Sequence, residues 1–250
     1  MAITAAVRTR LAYAPQTWVY VVAAAAMAIL LARHLIPDTA ASHEHHMHGG
    51  HGAALSPVPT LVSTWLWWTV MSVAMMFPVA ATGARRIAAA GLWRRRHIAM
   101  AEFLGGYLAA WALVGLIAVW GVAMVWPHGA PRYVVAAVLF AAAVWQVTPV
   151  RRRVLRRCRG PAFVNVRGWR ADADAVAEGL ADGRRCVVTC GPVMAVMAVG
   201  HSLVLMACLT ALLLTERARG PNPQQRAGRP FEAWCLAALA GLVLVWGLPV

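Results

Sequence analysis

Six apolar stretches, at about 18–36, 61–81, 103–126, 133–150, 187–214 and 233–248, recur along the chain and constrain its fold more than any other feature. The hydrocarbon core of a bilayer is crossed by ~20 residues of helix. Inside lipid, backbone polar groups must be paired within the segment, which favours helices. Composition points the same way: 61% of residues are hydrophobic, 13% are charged, and mean hydropathy is +0.62. A soluble domain with that balance would expose large apolar patches. The expected fold is all-α, a polytopic transmembrane helix bundle of about six spans forming one domain over 1–250.

The segments between these stretches carry the charge. Twenty-three Arg and no Lys stand against nine acids, a formal net charge of +14. Because the Arg sit beside apolar runs, lipid head groups and the positive-inside rule explain them better than nucleic acid does. With the N-terminus inside, the inner segments collect two, five and ten Arg. The outer side collects Arg33, Arg132 and four in 215–232. That balance predicts both termini in the cytoplasm, although the last four Arg oppose the rule. Thr39-Ala40-Ala41 faintly resembles a signal-peptidase site, but the preceding run is longer than a signal peptide's, so an uncleaved span is expected.

The stretch from Cys186 to Cys208 holds the densest chemistry. Cys186, Cys190, Met194, Met197, His201 and Cys208 follow at gaps of 4, 4, 3, 4 and 7. At about 100° per residue, a continuous helix places all six within an arc of roughly 80°, with Met206 outside it. Met and Cys at helical spacing are ordinarily soft apolar packing. Thiols, thioethers and an imidazole on one arc also form a ligand set that suits Cu(I) first and Zn(II) second. In the second stretch, Met71 and Met75 lie one turn apart, with Met76 about 100° further round. If the two helices pack together, Met71, Met75, Met197 and His201 form a sulfur-rich site with one imidazole. His201 is also an ionisable residue at membrane depth, a functional candidate by default.

A second metal signal lies in the polar segment 37–60, where His43, His45, His46, His48 and His51 accompany Glu44 and Met47 within nine residues. Imidazoles at that density can wrap Cu(II), Zn(II) or Ni(II) without a preformed cage. The plain reading is a solvated low-complexity loop. Cys158 lies among Arg, a setting that lowers a thiol pKa, and is read as a bystander. No paired carboxylates, nucleophile elbow, Walker loop or Rossmann fingerprint occurs, so no enzyme activity is expected.

Four blocks carry a resemblance to a known family. They are Thr69-Val-Met-Ser-Val-Ala-Met75-Met76-Phe-Pro78, Phe103-Leu-Gly-Gly-Tyr107-Leu-Ala-Ala-Trp111, the run from Trp145-Gln146-Val-Thr148-Pro149 through Cys158 to Pro161, and Cys186-x3-Cys190-Gly191-Pro192 with Met194, Met197, Gly200 and Met206. Together they resemble a bacterial domain-of-unknown-function family described as predicted metal-binding integral membrane proteins. The resemblance implies a multi-pass protein of the bacterial cytoplasmic membrane. It also implies metal binding at Met75, Met76, Cys186, Cys190, Met194 and Met197, and it supplies no reaction. The chain departs from the family pattern at Thr189, Val193 and His201-Ser202.

The leading expectation is a copper-handling membrane protein. The outer His segment would collect the ion, and the Met/Cys/His seam would hold or pass on Cu(I), with zinc the second choice of metal. The alternative is a non-catalytic accessory subunit of a larger membrane enzyme complex, such as a copper-dependent oxidase or monooxygenase. There the helices would serve as packing surface for other membrane subunits.

Overall fold

In the computed structural model the described residues are 16–35, 57–127, 129–157, 165, 168–200, 202–218 and 231–246, and among them there are helices and turns but no strand. The helices are α1 (Thr17–Leu35), α2 (Pro57–Ala90), α3 (Arg96–Val125), α4 (Arg132–Val147), α5 (Pro149–Arg157), α6 (Trp169–Val199), α7 (Leu203–Ala218) and α8 (Phe231–Trp246). A 3₁₀ turn, Trp93–Arg95, joins α2 to α3. The all-α class is as expected. The count of six spans is not reproduced: Leu61–Ala90 and Trp93–Val125 are long and apolar enough to cross a membrane, whereas four further apolar helices are 10–17 residues long.

The tightest association is between α3 and α6, and it rests on small residues. A Cβ on Gly179 would fall onto the Phe103 carbonyl, and a Cβ on Gly106 onto that of Val176. Only a missing side chain allows two backbones so close, which is how small residues let helices associate without a hydrophobic drive. Ala175, Gly179 and Gly183 therefore form a buried stripe at four-residue spacing along α6. The stripe faces Phe103, Tyr107 and Ala110 of α3. Since Gly179 meets Phe103 and Gly183 meets Tyr107, α3 and α6 run parallel.

Helix α2 runs antiparallel to both. Trp65 Nε1 donates to the Ala112 carbonyl at 2.8 Å, and Trp68 Nε1 to the Trp111 carbonyl at 3.3 Å. Nearer its other end, Gly83 lies against the Phe103 ring and the Asp182 carboxylate. Outside this three-helix core, α1 packs on α2 and α8 on α4. The outward face of α3 carries Leu113, Ile117 and Met124, each more than 60% exposed.

The predicted fifth span, 187–214, is not one helix. α6 stops at Val199, Gly200 is extended (φ −137°, ψ 126°), and α7 begins at Leu203. Ser202 supplies the carbonyl that accepts the first helical bond of α7, from the Met206 N–H at 2.9 Å. The new helix turns back. Arg151 donates from Nε to the Thr189 carbonyl at 3.2 Å and from Nη2 to both carboxylate oxygens of Glu216 at 2.6 and 2.7 Å. A straight helix would separate residues 189 and 216 by ~40 Å. One side chain touching both requires α6 and α7 to form a hairpin with its apex at 200–202. The arc computed across the break therefore fails beyond it: Cys208 is exposed, whereas Met206 is buried.

Candidate metal site

The buried face of α6 changes chemistry along its length. After Gly183 it continues with Cys186, Cys190, Met194 and Met197, all at most 4% exposed. Successive steps of four, four and three residues put these sulfurs about one turn apart, at rises of ~4.5–6 Å. Cys186 Sγ accepts a hydrogen bond from Tyr107 Oη at 3.0 Å. The Thr189 hydroxyl reaches the carbonyls of Arg185 and Cys186 and lies 3.6 Å from Cys190 Sγ. On α2, Met71, Met75 and Met76 are also buried. Gly83 meets Asp182 and Met71 shares a cavity with Met197. Between those two fixed points, the antiparallel register sets Met75 and Met76 level with residues 190–193 of α6.

At the apex of the hairpin the sulfur row opens into a cavity of about 340 Å³. Three thioethers line it from three helices: Met71 of α2, Met197 of α6 and Met206 of α7. Trp67, Trp68 and Leu30 complete its apolar wall, and Ser202 and Leu203 its apex. Arg33 and Thr64, both exposed, form the rim, and the Arg33 guanidinium stacks on the Trp67 ring at 4.0 Å. Trp68 reaches its place because Gly115 of α3 leaves room for the indole. The rim belongs to the end of α1 and the beginning of α2, the two helices flanking the His-rich segment in the sequence.

The far end of the sulfur row is held by α4 and α5, and a proline explains where they attach. Pro192 lies inside α6 and lacks the N–H that would otherwise bond the Val188 carbonyl. Trp145 Nε1 donates to that carbonyl at 3.0 Å. Arg151 takes the next one, Thr189. Thr148 sets both donors in place: its hydroxyl donates to the Trp145 carbonyl at 2.8 Å and accepts from the Arg151 N–H at 3.4 Å. With Pro149 as the first residue of α5, this is an N-cap followed by proline at the first helical position. The Trp145-to-Pro149 and Cys186-to-Pro192 blocks are thus two sides of one joint.

Of the residues expected to bind metal, the structure brings Met71 and Met197 into one cavity. It buries Met75, Met76, Cys186, Cys190 and Met194 in the same core beneath it. His201, His43, His45, His46, His48 and His51 lie outside the described residues, as does Cys158. Among the described residues, no three His, Cys, Asp or Glu side chains gather as a metal-holding group. The soft donor atoms assembled there are sulfurs, a set that would suit a soft monovalent ion. Sequence reasoning missed Met206, Tyr107 and Trp68. Gly200 followed by Ser202 is a stop-and-cap signal within the apolar run, and it would have detached Met206 from the rejected side of the arc.

The same blocks lie within a match to a family model. Comparison with curated proteins and with solved structures gives no match. A family model described as "PpoB2: Copper chaperone" matches residues 65–248, which include α2 from Trp65, the sulfur face of α6 and the hairpin. The chain belongs to this copper chaperone family.

Proposed function

We propose that the protein is a membrane-embedded, non-catalytic copper chaperone that holds Cu(I) among the sulfurs of α2, α6 and α7. The observation that carries this reading is the convergence of Met71, Met197 and Met206 on one cavity, continuous in register with Met194, Cys190 and Cys186. Neutral thioethers in an apolar wall suit Cu(I) and serve Zn(II) poorly, because zinc sites are built from thiolate, imidazole and carboxylate. The His-rich segment, which lies between α1 and α2 in the sequence, would gather the ion and present it to the rim.

Membrane embedding is supported by the two long apolar helices and by the outward apolar face of α3. The hairpin also removes the objection from charge. Because α7 returns to Arg151, the four Arg in 215–232 fall on the side of the other basic segments. Sidedness then becomes 21 Arg inside against Arg33 and Arg132 outside. The N-terminus stays cytoplasmic. α8 then points outward, and the C-terminus joins the side of the cavity and the His segment.

The test is elemental analysis of detergent-purified protein from copper-replete and zinc-replete cells. Wild type should carry copper. A variant lacking mouth and floor sulfurs together, Met71→Leu/Met197→Leu/Met206→Leu/Cys186→Ser/Cys190→Ser, should lose at least tenfold in occupancy, and Cys208→Ser should match wild type. Deletion of residues 43–51 should lower occupancy only at limiting copper. Metal that follows the His segment alone, or zinc in place of copper, would sink the reading.

A further inference from the structure

Building on the proposed copper reading, we infer that the sulfur row is a blind-ended site: Cu(I) enters and leaves through the cavity and is retained at a dithiol floor, Cys186 and Cys190, without crossing the protein. The row has two chemically distinct ends. At the cavity the ligands are the thioethers of Met71, Met197 and Met206. Three and four residues further along α6 come Met194 and Cys190, and one turn beyond is Cys186. Thiols four residues apart on one helix face have Cβ atoms ~5–6 Å apart, within reach of a single ion. When Cu(I) binds there, it displaces a thiol proton, which leaves toward the cavity. One unit charge replaces another in the low-dielectric core, and the copper–thiolate pair is stronger than a copper–thioether contact. Affinity therefore rises from mouth to floor.

Below the floor the path closes. Cys186 is covered by the Tyr107 hydroxyl, and the next buried position on α6, Gly183, lies against the Tyr107 backbone and Ala110. One turn further, Gly179 meets the Phe103 backbone, while the Phe103 ring fills the space in front of Gly83 on α2. Phe103 and Tyr107 stack with centroids 6.4 Å apart, and each is 1% exposed. The next described buried sulfur in that direction is Met100 of α3, seven residues from Tyr107 or ~10 Å along the axis, on the far side of the Phe103 ring. A relay of soft ligands needs a rung at each turn, and there is none across this plug. The Phe103 and Tyr107 rings are fully packed, and the glycine contacts beside them bring backbone against backbone, so neither ring has space to swing into.

The experiment uses full-length protein in liposomes, with the membrane-impermeant Cu(I) chelator bathocuproine disulfonate sealed in the lumen and ascorbate-reduced copper outside. Wild type should bind copper stoichiometrically, with luminal chelate no higher than in protein-free vesicles. After loading, external chelator should strip Cys186→Ser/Cys190→Ser at least tenfold faster than wild type. Met71→Leu/Met206→Leu should slow loading and stripping together. Circular dichroism and gel filtration confirm that each variant is folded. Luminal chelate accumulating beyond one copper per chain would overturn the blind end, and so would a mouth variant that slows loading but leaves stripping unchanged. Equal stripping rates for wild type and the dithiol variant would remove the floor. Absence of copper from wild type would remove the underlying copper reading instead.

Discussion

The two halves of α6 share one buried stripe and use it in opposite ways. From Ala171 to Gly183 every buried position is Ala or Gly, and the helix is pressed against the backbone of α3. From Cys186 to Met197 the stripe is mainly sulfur, and the gap between helices is filled by polarizable side chains that can also act as ligands. The difference lies in what each half tolerates. Small-residue packing fixes geometry because nothing at the contact can move. Thioethers have several rotatable bonds and can rearrange around an ion, so a rigid half beneath an adaptable half gives a soft site a fixed floor.

The sharpest way to break this contrast is a matched pair of leucines. Gly179→Leu forces a side chain into the Phe103 carbonyl and exceeds the ~1–3 kcal/mol of ordinary overpacking, because backbone must move. It should give little folded protein by gel filtration in detergent. Met194→Leu, at a buried site about four turns away, conserves volume and should cost less than ~1.5 kcal/mol. Comparable yields and unfolding midpoints for the two would mean that the halves are not packed differently.

The joint between the halves is next in size. Arg151 and Glu216 have side chains only 6% and 13% exposed, and Arg151→Met takes the guanidinium away from the Glu216 carboxylate. Breaking such a buried pair from one side costs about 3–5 kcal/mol. The double variant Arg151→Met/Glu216→Leu should recover most of that loss, since an apolar pair of similar volume is often as stable as a buried ion pair. Thermal unfolding of the single and double variants measures this. If the double variant is no better than the single, the pair's role lies in the Arg151 bond to the Thr189 carbonyl and not in its charge.

How much of this was legible in sequence differs between the halves for the same physical reasons. Periodicity identified Cys186, Cys190, Met194 and Met197 as one face, because α6 is continuous across them. The same arithmetic failed at Cys208, because it ran through Gly200 as though a helix continued. The glycine stripe carries no hydrophobic signal and lies outside the six apolar stretches, although Ala175, Gly179 and Gly183 are spaced as regularly as the sulfurs. The pairing of Trp145 with Val188 was beyond reach, since Pro192 announces an unbonded carbonyl without saying which residue satisfies it.

The smallest effect should come from the polar start of α6, where acid sensitivity separates the halves. The Asn165 backbone N–H and side-chain amide donate to Asp174 Oδ2 at 3.0 and 2.7 Å. These bonds hold its carboxyl below the ordinary carboxylate value, with Arg170 nearby adding to the effect. A depressed folded-state pKa stabilises the protein above the unfolded value of about 4, and that stability is lost as pH falls through the folded value. Asp174→Asn should therefore unfold slightly below wild type at pH 7, with the gap closing as the medium is acidified past pH 4. Because the carboxylate lies at the surface, the gap should also shrink in high salt. A gap that persists at pH 3 would show that the Asn165 contact depends on side-chain shape. A gap that appears instead in the proteolytic protection of residues 186–199 would show that the polar start and the sulfur half open as one unit.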